Sequence, residues 1–381
     1  MLRKHLKFFQ DPHIDYPIYD FNLNFSAYIK QSEEIIRKTR QDLGQDHESI
    51  IKNNAPFELQ PHHSKPQSAA LLIHGLLDSP FIMRDIGNYL QSQGLLVRSI
   101  MLPGHSTVPG ALLNTDYTEW LQAVQYGVGT LKRDGVEKIF LVGFSTGADL
   151  SICHAVNDPA IAGIIMIAPA LKINSPFAFM SNWYRAFNWA GDRTKWFFIS
   201  EEFDSVKYQS VTFNAIYQVY RLGLLLQKIS PEKLAHCPLL MALSYEDKIV
   251  CSKMNMEYFQ KTTHPLTRIL VYSNKSLKFS DKRIILRNSV YPDMNILNFC
   301  HITLPVSPDN PHYGKDGDYI LASHLEKNVR YGAFDKLDMC FYNTLRKMHL
   351  SPYRYERLTF NPDFEFMKNQ MGDFILKALD L

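Results

Sequence analysis

The chain has 381 residues, of which 46% are hydrophobic and 21% are charged, and its formal net charge is +3 at pH 7. This composition is that of an ordinary globular protein, long enough for one large domain with an insertion or for two modest domains. The small net charge argues against nucleic-acid binding, and five scattered cysteines without a C-x-x-C pair argue against a zinc site.

The first 55 residues are predicted to form a helical extension, because residues 25–42 place apolar side chains at helical spacing among many charges. After a polar turn, residues 69–73 form a predicted buried strand that ends in the sequence HGLLDSP. The elements that follow are a helix over 81–93, a strand over 95–101 and an amphipathic helix over 117–133.

The most informative stretch is the sequence LVGFSTGA, residues 141–148, in which a serine stands between two glycines after an apolar run. This layout is typical of a nucleophile elbow, a tight turn from a strand into a helix that exposes the serine hydroxyl. The turn forces an uncommon backbone conformation on Ser145, and the close passage of neighbouring chain favours glycine at Gly143 and Gly147. The motif therefore predicts acyl transfer through a serine ester.

Strands and helices alternate through most of the chain, which predicts a mostly parallel central sheet with helices on both faces. The alternation stops after a strand at 161–168 and resumes with a strand at 238–243. Residues 172–235, rich in aromatic side chains, are predicted to be an inserted helical cap over the site, with a second hydrophobic subdomain as the alternative. The predicted core comprises residues 56–171 and 236–381, with a C-terminal extension from about 306 and a last helix over 363–379.

A serine nucleophile needs a base and an acid that orients the base, and this kind of sheet imposes the chain order serine, acid, histidine. Asp247 comes directly after the strand at 238–243, where acids project from such sheets, and Glu246 is the second choice. His301 follows a short apolar run that could deliver it to the edge of the site, whereas its main rival, His312, lies in a Pro-rich loop. Asp247 and His301 are the predicted acid and base; a turn or cap role for the aspartate and a structural role for the histidine are the alternatives.

The oxyanion that forms during acyl transfer needs two hydrogen-bond donors. The backbone N–H of Thr146, at the start of the helix after the serine, is the predicted first donor. The tight turn after the strand at 69–73 offers the N–H of Leu76 as the second donor. His74 and His105 are then predicted to support these loops rather than to act as bases.

Four segments, LLIHGLLDSP, LPGHSTVPG, GFSTGADLS and SYEDKIV, together resemble the α/β-hydrolase superfamily. Within it they look most like the monoacylglycerol lipases and bacterial carboxylesterases that carry a helical cap. The resemblance covers about residues 56–170 and 236–305. The segment CHITLPVSPDNPHYG resembles the histidine loop of bacterial members with an extended C-terminus, and so supports His301.

The resemblance implies an α/β-hydrolase fold and a set of roles for individual residues. The first 55 residues and the last 60 or so lie outside the common pattern. Asp149 also departs from it, because small apolar residues are more usual at this position and a charge here could disfavour an approaching oxyanion. The implied roles are Ser145 as nucleophile, Asp247 as acid, His301 as base, and Leu76 and Thr146 as oxyanion donors.

Together these residues predict a serine ester hydrolase that cleaves esters of short to medium fatty acids or monoacylglycerols and requires no metal or cofactor. Hydrolysis of a thioester, peptide or carbon–carbon bond on the same fold, and a binding protein without activity, are the alternatives. The expected partners are small-molecule esters or lipids, with transient contact of the cap with lipid surfaces and no nucleic acid. No signal peptide or membrane-spanning segment is evident, so a cytoplasmic location is expected.

Overall fold

The computed structural model describes residues 7–40, 47–61, 67–174, 192–319, 328–333 and 350–380, together with 339, 344 and 346–348. The strands in these ranges are β1 (Phe57–Leu59), β2 (Ser68–Ile73), β3 (Leu96–Ile100), β4 (Lys138–Phe144), β5 (Ile161–Ile167), β6 (Trp196–Phe198), β7 (Val211–Thr212), β8 (Leu239–Ser244), β9 (Arg268–Ser273), β10 (Ile284–Asn288), β11 (Val329–Gly332) and β12 (Arg354–Arg357). The α-helices are α1 (Phe25–Thr39), α2 (Glu48–Asn54), α3 (Arg84–Ser92), α4 (Tyr117–Arg133), α5 (Thr146–Ala155), α6 (Phe213–Leu226), α7 (Ser252–Gln260) and α8 (Phe364–Leu379).

The central sheet contains eight strands in the order β1-β3-β2-β4-β5-β8-β9-β10. β1 runs antiparallel to β3, and the other neighbouring strands are parallel. Parallel neighbours need long crossover connections, which α3, α4 and α5 provide between successive strands from β2 to β5. The predicted fold class, a mostly parallel α/β-hydrolase sheet, is confirmed.

Helices cover both faces of this sheet. Successive residues of a strand point to opposite faces, so Leu71 and Leu141 pack in one core with α1, α4, α5, α6 and α7. Leu72 and Val142 pack in a second core with α3 and α8. Because both faces are buried, the central strands are apolar along almost their whole length, as the sequence LVGF of β4 illustrates.

The insertion between β5 and β8 is more varied than the predicted helical cap. Its described residues, 172–174 and 192–235, contain α6 and an antiparallel hairpin of β6 and β7, which the sequence pattern did not indicate. α6 packs against α4 and α5, so the insertion lies against the helix that follows the serine. Most of the aromatic residues behind the prediction lie outside the described residues: Phe177, Phe179, Trp183, Tyr184, Phe187 and Trp189.

The C-terminal part of the chain packs on the second core. β11 and β12, which were not predicted, form a separate parallel pair, and α8 places Phe374 and Ile375 beneath the sheet. The guanidinium group of Arg287, in β10, donates two hydrogen bonds of 2.8 Å to the carboxylate of Asp363, which precedes α8. None of the helices in the described ranges is both long and apolar enough to span a bilayer.

Candidate active site

Ser145 occupies a strained turn between β4 and α5. Its backbone has φ 54° and ψ −119°, a region that residues with a side chain rarely adopt. The Ser145 N–H donates to the Ile167 carbonyl at 2.8 Å, which ties the turn to the neighbouring strand β5. The uncommon backbone conformation predicted for the serine is therefore present.

The two glycines that flank the serine are required by close backbone approach. A Cβ on Gly143 would lie 2.3 Å from the carbonyl oxygen of Gly147, and a Cβ on Gly147 would lie 2.1 Å from that of Ile73. Both distances are far inside van der Waals contact, and the opposing atoms are backbone atoms that cannot rotate away. The steric reason for the G-x-S-x-G spacing is thus visible at both positions.

The structure brings Ser145, His301 and Asp247 together in one chain of hydrogen bonds. The His301 Nδ1 lies 2.7 Å from the Asp247 Oδ2, and the His301 Nε2 lies 2.9 Å from the Ser145 Oγ. Because an ionised carboxylate only accepts hydrogen bonds, Nδ1 carries the proton and Nε2 is free to accept the serine proton. The arrangement can therefore activate the serine hydroxyl.

Backbone groups hold the acid and the base in these positions. Asp247 follows β8, and its Oδ1 accepts the N–H groups of Ile249 and Val250 at 2.7 and 3.1 Å, which leaves Oδ2 for the imidazole. The His301 loop is tied to the end of β8, because the hydroxyl of Ser244 donates to the Phe299 carbonyl at 2.7 Å. Acid and base therefore both depend on the carboxyl end of the same strand.

The segments that carry the two predicted oxyanion donors meet at the serine. Thr146 is the first residue of α5, where N–H groups lack acceptors within the helix. Leu76 lies in a turn that is closed by a hydrogen bond of 3.3 Å from the N–H of Asp78 to the carbonyl of Gly75. A Cβ on Gly75 would lie only 3.1 Å from the Cβ of Ser145, so this turn passes directly beside the serine.

His74 and His105 are buried supports of the surrounding loops. The His74 Nε2 accepts the Leu102 N–H at 3.1 Å, so Nδ1 carries the proton and donates to the Gly75 carbonyl at 2.8 Å. Burial lowers the pKa of His74 well below its usual range and that of His105 to about 4. Both imidazoles are consequently neutral near pH 7, which agrees with the supporting role predicted for them.

The rival candidates lie elsewhere in the described part of the chain. His312 binds two carboxylates, Asp204 at 3.1 Å through Nε2 and Asp318 through Nδ1. Glu246 accepts a hydrogen bond of 2.7 Å from the Ser273 hydroxyl, whereas His301 bonds to Asp247. Two further histidines downstream of Asp247, His324 and His349, lie outside the described residues.

Asp149 is fully buried in the first turn of α5. Burial raises the pKa of its carboxyl group well above the usual range, which favours the neutral acid. The sequence left open whether the charge of Asp149 would oppose an oxyanion. In its neutral form it exerts no such repulsion, so the residue is compatible with a nucleophile four positions earlier.

Two functional candidates were not singled out from the sequence. Asp78 closes the turn beside Ser145, and its buried carboxylate pairs with the ammonium group of Lys207 in the cap. The sequence did contain a signal for Asp78, because this acid follows closely after the His-Gly turn at the end of a predicted strand. No sequence signal connects it with Lys207, because the two residues are 129 positions apart.

A small cleft opens beside this turn. Its wall combines residues of the N-terminal segment, the core loops and the cap: Phe8, Arg40, Asn54, Leu77, Ser106, Thr107, Pro109, Glu202, Asp204, Val206, Lys207 and Tyr208. The described lining is mixed in polarity.

Residues 64–276 match the protein family described as serine aminopeptidase, S33. Among known relatives, a thermostable monoacylglycerol lipase from Bacillus sp. (strain H-257) is 33% identical over 103 residues, and a carboxylesterase from Bacillus subtilis (strain 168) is 31% identical over 107 residues. These alignments cover 27% and 28% of this chain but only 41% and 43% of the relatives. A solved structure from work on the metagenome-derived lipolytic enzymes LipS and LipT is 22% identical, covers 57% of this chain and 86% of that chain, and has a TM-score of 0.48.

Proposed function

The chain belongs to the serine aminopeptidase S33 family of α/β-hydrolases, and from this premise we propose that it is a serine ester hydrolase. Ser145 attacks the acyl carbonyl, and His301, oriented by Asp247, accepts the hydroxyl proton and passes it to the leaving alcohol. The N–H groups of Leu76 and Thr146 stabilise the oxyanion. Water, activated by the same base, then attacks the acyl-enzyme and releases the acid.

One observation carries this proposal, namely the unbroken chain of hydrogen bonds of 2.9 and 2.7 Å that links Ser145 through His301 to Asp247. This geometry lets the imidazole take the serine proton while the hydroxyl attacks. The strained backbone of Ser145 supports the same role, because such strain persists mainly where function requires it.

We infer that the substrates are esters of short to medium fatty acids or monoacylglycerols. The names of the relatives, a monoacylglycerol lipase and a carboxylesterase, support this class of substrate. The surroundings of Ser145 also suit a neutral ester better than a charged substrate. Asp78 is paired with Lys207, and burial raises the pKa of Asp149, which favours its neutral form.

The proposed nucleophile is tested by the Ser145→Ala variant. We expect its turnover of p-nitrophenyl butyrate to fall by several orders of magnitude, since the variant lacks the hydroxyl that forms the acyl-enzyme. A fluorophosphonate probe should label the parent protein at Ser145 and should not label the variant. Ser92→Ala, which removes an exposed hydroxyl on α3, is the matched control. Unchanged turnover in Ser145→Ala would show that the nucleophile is assigned wrongly.

The family description favours a second candidate, hydrolysis of a peptide bond beside a free amino terminus. Such an enzyme has to bind an α-ammonium group, and the buried carboxylate of the turn beside Ser145, that of Asp78, is already paired with Lys207. A panel of p-nitrophenyl butyrate, butyryl thioester and alanine p-nitroanilide separates these activities. A higher kcat/KM for the anilide would replace the ester proposal, and a folded protein that no fluorophosphonate labels would indicate a binding role.

We also propose that the cap makes transient contact with lipid surfaces. Phe197, Phe198, Ile199 and Phe203 are large apolar residues of the cap with between 39% and 45% of their surface exposed. Replacing Phe198 and Ile199 by serine should slow hydrolysis of aggregated monoacylglycerol and leave hydrolysis of dissolved p-nitrophenyl butyrate unchanged. A rate that does not increase above the micelle threshold of the substrate would argue against this contact.

A further inference from the structure

Two adjacent residues of the cap bind the turn beside the nucleophile. This turn runs from Gly75 to Asp78. The ammonium group of Lys207 pairs with the carboxylate of Asp78. The N–H of Tyr208 donates to the carbonyl of Leu77 at 2.9 Å. The cap therefore holds the turn both through a charged side chain and through the backbone.

The Asp78 carboxylate lies close to the nucleophile. Its side chain is only 4% exposed. A Cβ on Gly75 would lie 2.9 Å from the Asp78 Oδ2 and 3.1 Å from the Cβ of Ser145, so the carboxylate oxygen and the serine approach the same face of this glycine. A charge in such a buried position acts strongly on neighbouring charges, because little water screens it.

Acyl transfer creates a negative charge beside this turn. An unpaired carboxylate would oppose that charge, whereas a carboxylate paired with an ammonium group has little net effect. We propose that Lys207 is a positioning residue of the reaction, which acts through Asp78 by neutralising its carboxylate beside the oxyanion turn. The inference rests on the proposed function, since it requires Ser145 to be the nucleophile.

The charged and titratable groups around Asp78 come from both sides of the turn. They are Lys207 and Asp204 of the cap, His301 of the proposed triad, and Tyr313 of the loop after it. Burial raises the pKa of Asp78, and Lys207 is the strongest influence that lowers it. Without Lys207 the carboxyl group would therefore ionise at a higher pH, and above that pH it would be charged without a partner.

The inference is tested with Lys207→Met, which removes the charge and keeps most of the side-chain length. We expect kcat for p-nitrophenyl butyrate to fall on the order of 10- to 100-fold, with KM changed less than about twofold, because the pair acts on the transition state. The loss should increase with pH as Asp78 ionises. Lys207→Arg keeps the charge and should retain most of the activity.

Two further variants separate this effect from general damage to the cap. Arg221→Met breaks another ion pair between the cap and the core, with Asp116 at the start of α4, and should reduce kcat much less. The double variant Asp78→Asn with Lys207→Met removes both charges. It should recover most of the lost kcat and should show no pH-dependent loss.

The outcomes distinguish the inference from the function on which it rests. A parent protein that neither reacts with a fluorophosphonate nor hydrolyses the ester overturns the proposed function, and the inference with it. If the parent is active, two results overturn the inference alone. One is a kcat of Lys207→Met that is no lower than that of Arg221→Met. The other is a kcat of the double variant that is as low as that of Lys207→Met. If circular dichroism shows that Lys207→Met does not fold, the double variant decides: near-parental kcat supports the inference and a large loss contradicts it.

Discussion

Gly147 is a residue at which the candidate site tolerates very little change. A Cβ here would lie 2.1 Å from the carbonyl oxygen of Ile73 and 2.7 Å from that of His74. Both atoms belong to the end of β2 and the start of the oxyanion turn. Any side chain at this position must therefore separate α5 from β2 and move Ser145 relative to its proposed oxyanion donors.

We predict that Gly147→Ala reduces fluorophosphonate labelling of Ser145 by at least about 100-fold, because small displacements of catalytic groups have effects of this size. Thermal unfolding followed by circular dichroism should show a lower midpoint. Gly129→Ala is the matched control: its new Cβ would meet only the flexible end of Arg133 at 3.7 Å, and alanine favours the helix. Parental labelling of Gly147→Ala would contradict the steric account of the turn.

The secondary-structure elements that could be predicted from the sequence are those with a strong periodic pattern or a long buried apolar run. α4 begins and ends where its periodicity predicted, and Asp116 with Glu119 forms a capping box at its first turn. β6 with β7 and β11 with β12 were missed, because strands of two to four residues have too few side chains to show an alternation.

The candidate site follows the same rule. Ser145, Asp247 and His301, which the structure brings together, were proposed from a motif and from chain order, which the topology of the sheet imposes. The pairing of Lys207 with Asp78 was not found, because it depends on how the cap folds over the core. A contact between segments so far apart leaves no local pattern in the sequence.

His312 connects the loop after the proposed base to the cap through its contact with Asp204. Burial opposes the charge on His312, but hydrogen bonds and attraction from Asp204 and Asp318 exceed that effect and raise its pKa. Tyr313 and Tyr319 pack against the imidazole, and the Tyr313 hydroxyl donates to the Asp204 carboxylate at 2.6 Å. The contact therefore joins two segments that flank the site.

We predict that this contact stabilises the protein more at low pH. Since the pKa of His312 is higher in the folded protein than its unfolded value of about 6.5, the stabilisation is complete below that value and is lost as the pH rises through the folded pKa. His312→Gln should therefore lower the free energy of unfolding more at pH 6 than at pH 9. Urea titrations at both pH values measure the difference. His154→Gln should show the opposite trend, because burial lowers the pKa of His154. If His312→Gln lowers the free energy of unfolding equally at both pH values, the assignment is wrong.

For the molecule as a whole, the N-terminal helix is part of the core. Tyr28 of α1 is fully buried, and its ring packs against Tyr126 of α4 with 5.0 Å between the ring centroids. Its hydroxyl accepts a hydrogen bond from the N–H of Met101, directly after β3, at 3.0 Å and donates one to the Met101 carbonyl at 3.2 Å. α1 thus closes one face of the sheet, and its removal would expose apolar surface under α4.

We predict from this packing that α1 unfolds together with the catalytic core. Tyr28→Ala leaves a large cavity and unpaired Met101 backbone groups, so it should lower the free energy of unfolding by about 3–5 kcal/mol. In a urea titration, loss of fluorophosphonate labelling at Ser145 should coincide with loss of helical circular dichroism in both the parent and the variant. Ser26→Ala, on the exposed face of α1, should leave the midpoint within experimental error of the parent. The opposite result is a variant that loses part of its helical signal at low urea while Ser145 still reacts. This result would show that α1 is an independent unit, because the core would then keep its site without the helix.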